Sequence, residues 1–274
     1  MPRGLENPGI SHKHWSRIRV TATNRHPLIP NGPAFREETN FEQALANYAG
    51  DPAIRAGAER SALAFRHFAS SQIESWQRDV RPGLLGDLLS APATKRLDDD
   101  EICRNMLIVL FGGISTVEAL ILNSLWSLAH NPDVFDRVRA DLTLLRRVLD
   151  ETMRWLSPVQ SATRHVVRHT AYAGITLAEG NVVNCMLGAA IHDPQHFPNP
   201  TQFDIDRPNH SQHLGFATRP HICLGFRFAP VEAEVALRTL LTRLPNLWID
   251  LGESTPPEGN EFRQPRKLTI RWHS

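Results

Sequence analysis

The chain is short of cysteine, of net charge and of long uninterrupted apolar runs, and each shortage closes off a class of protein. Its three cysteines, Cys103, Cys185 and Cys223, lie far apart in 274 residues, with no C-x-x-C spacing. That excludes a disulfide framework and a structural zinc site built on cysteine pairs, and makes a reducing, cytoplasmic setting the default. A formal net charge of +1, with Lys and Arg scattered, gives no global electrostatic case for a nucleic acid partner. Met1 to Ser16 is broken by Pro2, Pro8 and charged residues and offers no signal-peptide core. The richest apolar stretch, Met106 to Leu128, is interrupted by Gly112, Gly113, Ser115 and Glu118, so no membrane span is expected. No internal repeat is found.

What is present is enough for a core: 41% of residues are hydrophobic and 22% charged, the balance of an ordinary globular chain of one or two compact domains. Residues 1–38, with Pro27, Pro30 and Pro33, read as irregular or as what is left of a helical region. Helical spacing of apolar residues predicts helices over Asn40–Tyr48 and Ala58–Gln77, separated by Gly50-Asp51-Pro52. Asp98-Asp99-Asp100-Glu101 places negative charge at a helix N-terminus, and the run that follows predicts one long helix ending at His130, before Asn131-Pro132. A further helix is expected from about Thr143 to Leu156, stopped by Ser157-Pro158. Short β-prone runs at Arg164–Arg168, Ile175–Leu177 and Val182–Met186 predict a small sheet. A helix near Leu224 would carry an apolar stripe through Phe228, Val231, Val235 and Leu241. Leu247–Leu251 and Lys267–Trp272 predict a terminal hairpin. The expected fold class is mainly α with small β-sheets.

Three segments carry chemistry. The first is Phe216-Ala217-Thr218-Arg219-Pro220-His221-Ile222-Cys223-Leu224-Gly225, which on this reading delivers Cys223 to the first turn of a helix. There, unpaired N–H groups and the positive dipole end favour a thiolate that can hold a metal; a buried, inert cysteine is the alternative. The second is Glu151-Thr152-Met153-Arg154, whose Glu and Arg share a helix face, either as a solvated ion pair or as part of a buried network. The third is Gly112-Gly113-Ile114-Ser115-Thr116, where small residues mark close packing, a kink, or room for a small molecule against the helix.

Taken together and in this order, these segments resemble the cytochrome P450 family over roughly Phe41 to Ser274. The cysteine segment is similar to that family's haem loop, F-x-x-G-x-H/R-x-C-x-G, through Phe216, His221, Cys223 and Gly225. Ala217 and Arg219 stand where the family has glycines, and Arg219 is expected to strain its turn. Glu151 and Arg154 resemble the E-x-x-R helix, with Arg207 in Phe203-Asp204-Ile205-Asp206-Arg207-Pro208 as the third member. Gly113 and Thr116 fit the A/G-G-x-D/E-T oxygen groove, with Ser115 in place of the acid. Arg164 matches a propionate-binding strand arginine. Ile191-His192-Asp193-Pro194 resembles an N-R-D-P turn, and Trp15-Ser16-Arg17-Ile18-Arg19 has the W-x-x-x-R spacing of another propionate-binding helix.

The resemblance implies haem b with Cys223 as the axial thiolate and sole protein ligand to the metal. Phe216 would pack over that sulfur beside Gly225, while His221 and Arg164 would take propionates. Gly113 would line the groove, and Thr116 with Ser115 would carry protons as catalytic groups. Glu151, Arg154 and Arg207 would be structural. The implied activity is monooxygenation of a small apolar organic substrate with O₂ and electrons from a ferredoxin/ferredoxin reductase or flavoprotein donor. Arg219, His221 and neighbouring basic residues would face that donor. The implied layout is an N-terminal remnant (1–38) and a haem domain (39–274) lacking much of the family's N-terminal part. An inactive truncated form, or a peroxide-using or O₂-independent enzyme, are the alternative activities. Phe65, Phe68 and the segment after Pro158 are the candidate pocket residues.

Overall fold

The computed structural model describes residues 15–21, 50–244 and 246–273. The expected Asn40–Tyr48 helix lies outside the described residues. In chain order the elements are β1 (Trp15–Thr21), α1 (Pro52–Arg78), α2 (Leu84–Leu89), α3 (Asp99–Ala129), α4 (Pro132–Ala140), α5 (Leu145–Trp155), β2 (Ala162–His165), β3 (Thr170–Tyr172), β4 (Ile175–Leu177), β5 (Val182–Cys185), α6 (Leu187–Ala190), α7 (Phe228–Arg243), β6 (Trp248–Ile249), β7 (Pro257–Glu258), β8 (Gln264–Pro265) and β9 (Lys267–His273).

α3 is the beam of the fold, and its start is fixed locally. Asp98 caps it by accepting from the Glu101 amide (2.7 Å), while the Glu101 carboxylate accepts from the Asp98 amide (2.9 Å), a reciprocal capping box. Length and composition alone would let α3 cross a membrane, contrary to the expectation drawn from its glycines. Here it packs against α1, α5, α7 and β8. Its C-terminal half, with Val117, Leu120, Leu122, Leu125 and Leu128, enters a core shared with α4, α5, α7 and the β6/β9 sheet. Its N-terminal half, with Ile102 and Cys103, enters a second core with Phe65, Ala69 and Ile73 of α1 and Leu89 of α2.

Several boundaries differ from those expected. The Gly50-Asp51-Pro52 break is where α1 begins: Asp51 accepts from the Ala53 amide (2.8 Å) and Pro52 sits where a missing N–H costs nothing. Asn131-Pro132 likewise ends α3 and opens α4, a helix that sequence periodicity missed along with α2. The segment 142–144 is a 3-10 turn, leaving α5 to start at Leu145. Trp15–Thr21 is a strand paired antiparallel with β9, not a helix, so the W-x-x-x-R helix is not formed. The expected small sheet is two separate pairs, β2/β5 and β3/β4. The terminal hairpin forms as expected, β6 pairing with β9.

Two side-chain expectations also change. Phe65 is buried in the second core and the partly buried Phe68 packs against it. On α7 the stripe of Phe228, Val231 and Val235 faces outward, while Pro230, Ala233 and Leu237 are buried, the last two in the main core.

Candidate haem site

Cys223 sits in a tight turn, five residues before α7, and not in a helical first turn. The Phe226 amide donates to the Cys223 carbonyl (3.2 Å), and the Phe228 and Ala229 amides both donate to the Gly225 carbonyl (2.9 Å each), the last being the first helix-type bond, so the chain winds into α7 only past the cysteine. The Cys223 amide donates to the Phe216 carbonyl (2.8 Å), which closes the loop on itself. A methyl group at Gly225 would lie 3.9 Å from the Cys223 sulfur, in ordinary contact. Phe216 packs against the main core and Cys223 is exposed at the loop's tip. His221 ends the 3-10 turn Arg219–His221, also exposed.

Ala217 (φ 56°) and Arg219 (φ 55°) both adopt the left-handed backbone in which glycine is at ease. The loop therefore keeps the conformation of a glycine-bearing loop while carrying side chains there, as the sequence led one to expect for Arg219.

On α3, Thr116 Oγ1 donates to the Gly112 carbonyl (2.7 Å). Side chains built on Gly112 and Gly113 would meet nothing within 4 Å, so this face of the helix is open, whereas Ser115 is turned inward and only 7% exposed. Ile108, Val109, Ile222 and Leu224 add apolar surface, Leu224 being 89% exposed.

Glu151, Arg154 and Arg207 do come together. Arg154 is fully buried and forks onto Glu151 through two bonds of 2.8 Å, Nε to Oε2 and Nη2 to Oε1. Its remaining N–H groups reach the carbonyls of Pro200 (2.8 Å), Gln202 (2.9 Å) and Ile191 (3.3 Å). Arg207 donates to Glu151 Oε1 (3.5 Å) and to the carbonyls of Pro198, Asn199 (3.1 Å) and Gln202 (3.2 Å). Glu151 also accepts from the Asp204 amide (2.9 Å). The three side chains thus staple the 198–207 meander to α5. Arg164 stands apart on β2, half-buried, and donates to the Thr163 carbonyl (2.8 Å).

Sequence reasoning passed over two residues in front of the loop. His213 Nδ1 accepts from the Gly215 amide (3.2 Å), and its ring lies 5.6 Å from that of Phe216. Burial holds the His213 pKa down at about 4, with Asp150 opposing the shift and His210, Arg146 and Arg154 adding to it. Gly215 sits in a close spot: a Cβ there would fall 2.5 Å from Met153 Cε and 3.1 Å from Ser157 Oγ, so the flexible tip of Met153 would have to shift to admit one.

These residues fit a haem. Among the described residues no three His, Cys, Asp or Glu side chains gather as a metal site, so an iron held by Cys223 has to bring its other ligands with it, as a porphyrin iron does. The open glycine face and the exposed apolar side chains suit a flat, largely apolar group. A helical frame with an exposed thiol on a folded-back loop and an open helix face is the kind of site a haem-thiolate protein has.

Comparison with known proteins places it further. The cytochrome P450 family model matches residues 64–267, and the chain belongs to that family. It is 36% identical over 195 residues to the cytochrome P450 monooxygenase PikC of Streptomyces venezuelae, covering 68% of this chain and 47% of that protein. It is 33% identical over 176 residues to the biotin biosynthesis cytochrome P450 of Bacillus subtilis, covering 64% of this chain and 44% of the relative. The chain therefore spans about half the length of the relatives it matches. Among solved structures, P450BioI in complex with a hexadec-9Z-enoic acid ligated acyl carrier protein superposes with a TM-score of 0.79 at 26% identity, over 86% of this chain and 60% of that one.

Proposed function

We propose that the chain is the haem-thiolate part of a monooxygenase that oxidises a small apolar organic substrate, with O₂ and electrons from a ferredoxin or flavoprotein donor. The observation that carries this is the Cys223 loop, folded back by the bond from the Cys223 amide to the Phe216 carbonyl (2.8 Å) with its sulfur outward. A cysteine thiolate gives haem iron the electron density that favours O–O cleavage. The protein's own residues do the rest. Cys223 ligates, the ordered amide beside it and Phe216 hold the sulfur in place, and His221 and Arg164 take the propionates. Gly113 keeps the α3 face clear, and Thr116 holds a proton at Oγ1, lent to the Gly112 carbonyl until it is needed. Glu151, Arg154 and Arg207 keep the meander fixed behind the loop. Exposed Arg219, His221 and Arg227 around the cysteine give an acidic electron donor a basic surface to meet.

The test is the carbon monoxide difference spectrum of the reduced protein beside Cys223→Ala. A red-shifted Soret band present in the parent and lost in the variant is the expected result; a parent that takes up no haem would sink the assignment and favour an inert chain. Ser115 supports a second reading. Being buried and carrying no carboxylate, it leaves the proton path before Thr116 without its acid, which favours a haem-thiolate enzyme fed by peroxide. Turnover with peroxide and with a reductase system, measured side by side, separates the two.

A further inference from the structure

Between α5 and the cysteine turn lies a short relay of contacts that begins at a histidine. His213 accepts the Gly215 amide at Nδ1 (3.2 Å), which places the ring proton on Nε2 and requires a neutral ring. The buried position keeps it neutral through the physiological range, with its pKa near 4. Gly215 in turn lies beside the tip of the Met153 side chain on α5 and beside Ser157 just past its end, so that a Cβ there would require Met153 Cε to shift. The next residue, Phe216, lies against the His213 ring, and its carbonyl receives the Cys223 amide. The Ala217 amide closes the same turn on the Leu214 carbonyl (2.8 Å).

We infer that His213 is a positioning residue for the thiolate: by accepting the Gly215 amide and packing on Phe216, it fixes the carbonyl that holds the Cys223 backbone and so orients the sulfur. The inference rests on Cys223 being the axial ligand, but its mechanical half stands without haem. Loss of one such hydrogen bond frees the turn by about tenfold in its opening equilibrium.

The variants are His213→Phe, which keeps an aromatic ring and removes the acceptor, and His213→Asn, whose side-chain oxygen can stand where Nδ1 does. Two readouts apply. The first is amide hydrogen exchange at Cys223 in the haem-free chain, expected to quicken about tenfold in the Phe variant and to return toward the parent in the Asn variant. The second is the share of red-shifted band in the carbon monoxide spectrum, expected to fall in the Phe variant and recover in the Asn variant. Cys223→Ala serves as the control that has no such band at all. The inference is overturned if the Phe variant matches the parent in both readouts. It is equally overturned if Phe and Asn variants change alike and only in step with their unfolding midpoints. A parent without the red-shifted band would refute the ligand assignment instead, and the exchange rates would still decide whether His213 holds the loop.

Discussion

Two residues of the cysteine loop work against their own backbone. Ala217 and Arg219 hold φ of 56° and 55°, a region that costs an L-residue roughly 1–2 kcal/mol and glycine almost nothing. Ala217→Gly and Arg219→Gly are each expected to raise stability by about 1 kcal/mol, read as a shift in urea midpoint at unchanged slope. The histidine in front of the loop makes stability depend on pH with a definite sign. His213 is neutral when folded down to about pH 4, among Asp150, His210, Arg146 and Arg154, but takes up a proton near pH 6.5 when unfolded. The unfolded chain therefore binds more protons between these values, and stability falls as pH drops from about 6.5 to 4, by roughly 3 kcal/mol in all. Urea midpoints across that range should lose this part of their slope in His213→Phe. At this scale the resemblance to the family's motifs, not spacing alone, singled out Cys223, Phe216 and the Glu151, Arg154 and Arg207 set, and the last three do meet in the structure. His213 and Gly215 were not legible in the sequence, because their roles depend on an amide and a methionine that only the folded turn brings near.

Among the elements, α5 ends in a fully buried arginine that ties it to the meander. Removing Arg154 would leave Glu151 charged and buried with only the Asp204 amide (2.9 Å) and a long contact to Arg207 (3.5 Å) to hold it. Arg154→Ala is expected to cost about 3–5 kcal/mol and to release the 198–207 meander, seen as early proteolysis there and a lowered melting temperature. Helices with a clear cap and long periodicity, α1 and α3, were readable from sequence. α4 was hidden because Asn131-Pro132, a stop signal for α3, is also a start signal for the next helix. The start of α7 was placed a few residues early, since the turns at Cys223 and Gly225 lead into the helix, the Ala229 amide already reaching the Gly225 carbonyl, before regular bonding sets in. Its outward stripe shows the limit of periodicity, which finds an apolar face and cannot say what covers it.

For the molecule as a whole, Ile108 and Val109 on α3, Ile222 and Leu224 beside Cys223, and Phe228 at the start of α7 are large apolar side chains left exposed, surface of the kind a bound haem would cover. Fluorescence of a hydrophobic dye bound to the haem-free chain should fall on titration with haem, and the melting temperature should climb with haem concentration as mass action requires. A dye signal indifferent to haem would argue that the open face is not where it binds. The two apolar cores sit at opposite ends of α3, with the uncovered Gly112-Gly113 stretch between them and α1 joined to the rest mainly through that helix. Such a molecule need not melt as one body. The end held by α1 and α2 can open while the larger core stays shut, so amide exchange should sort the two halves of α3 into separate cooperative units, and a single unfolding free energy would describe neither.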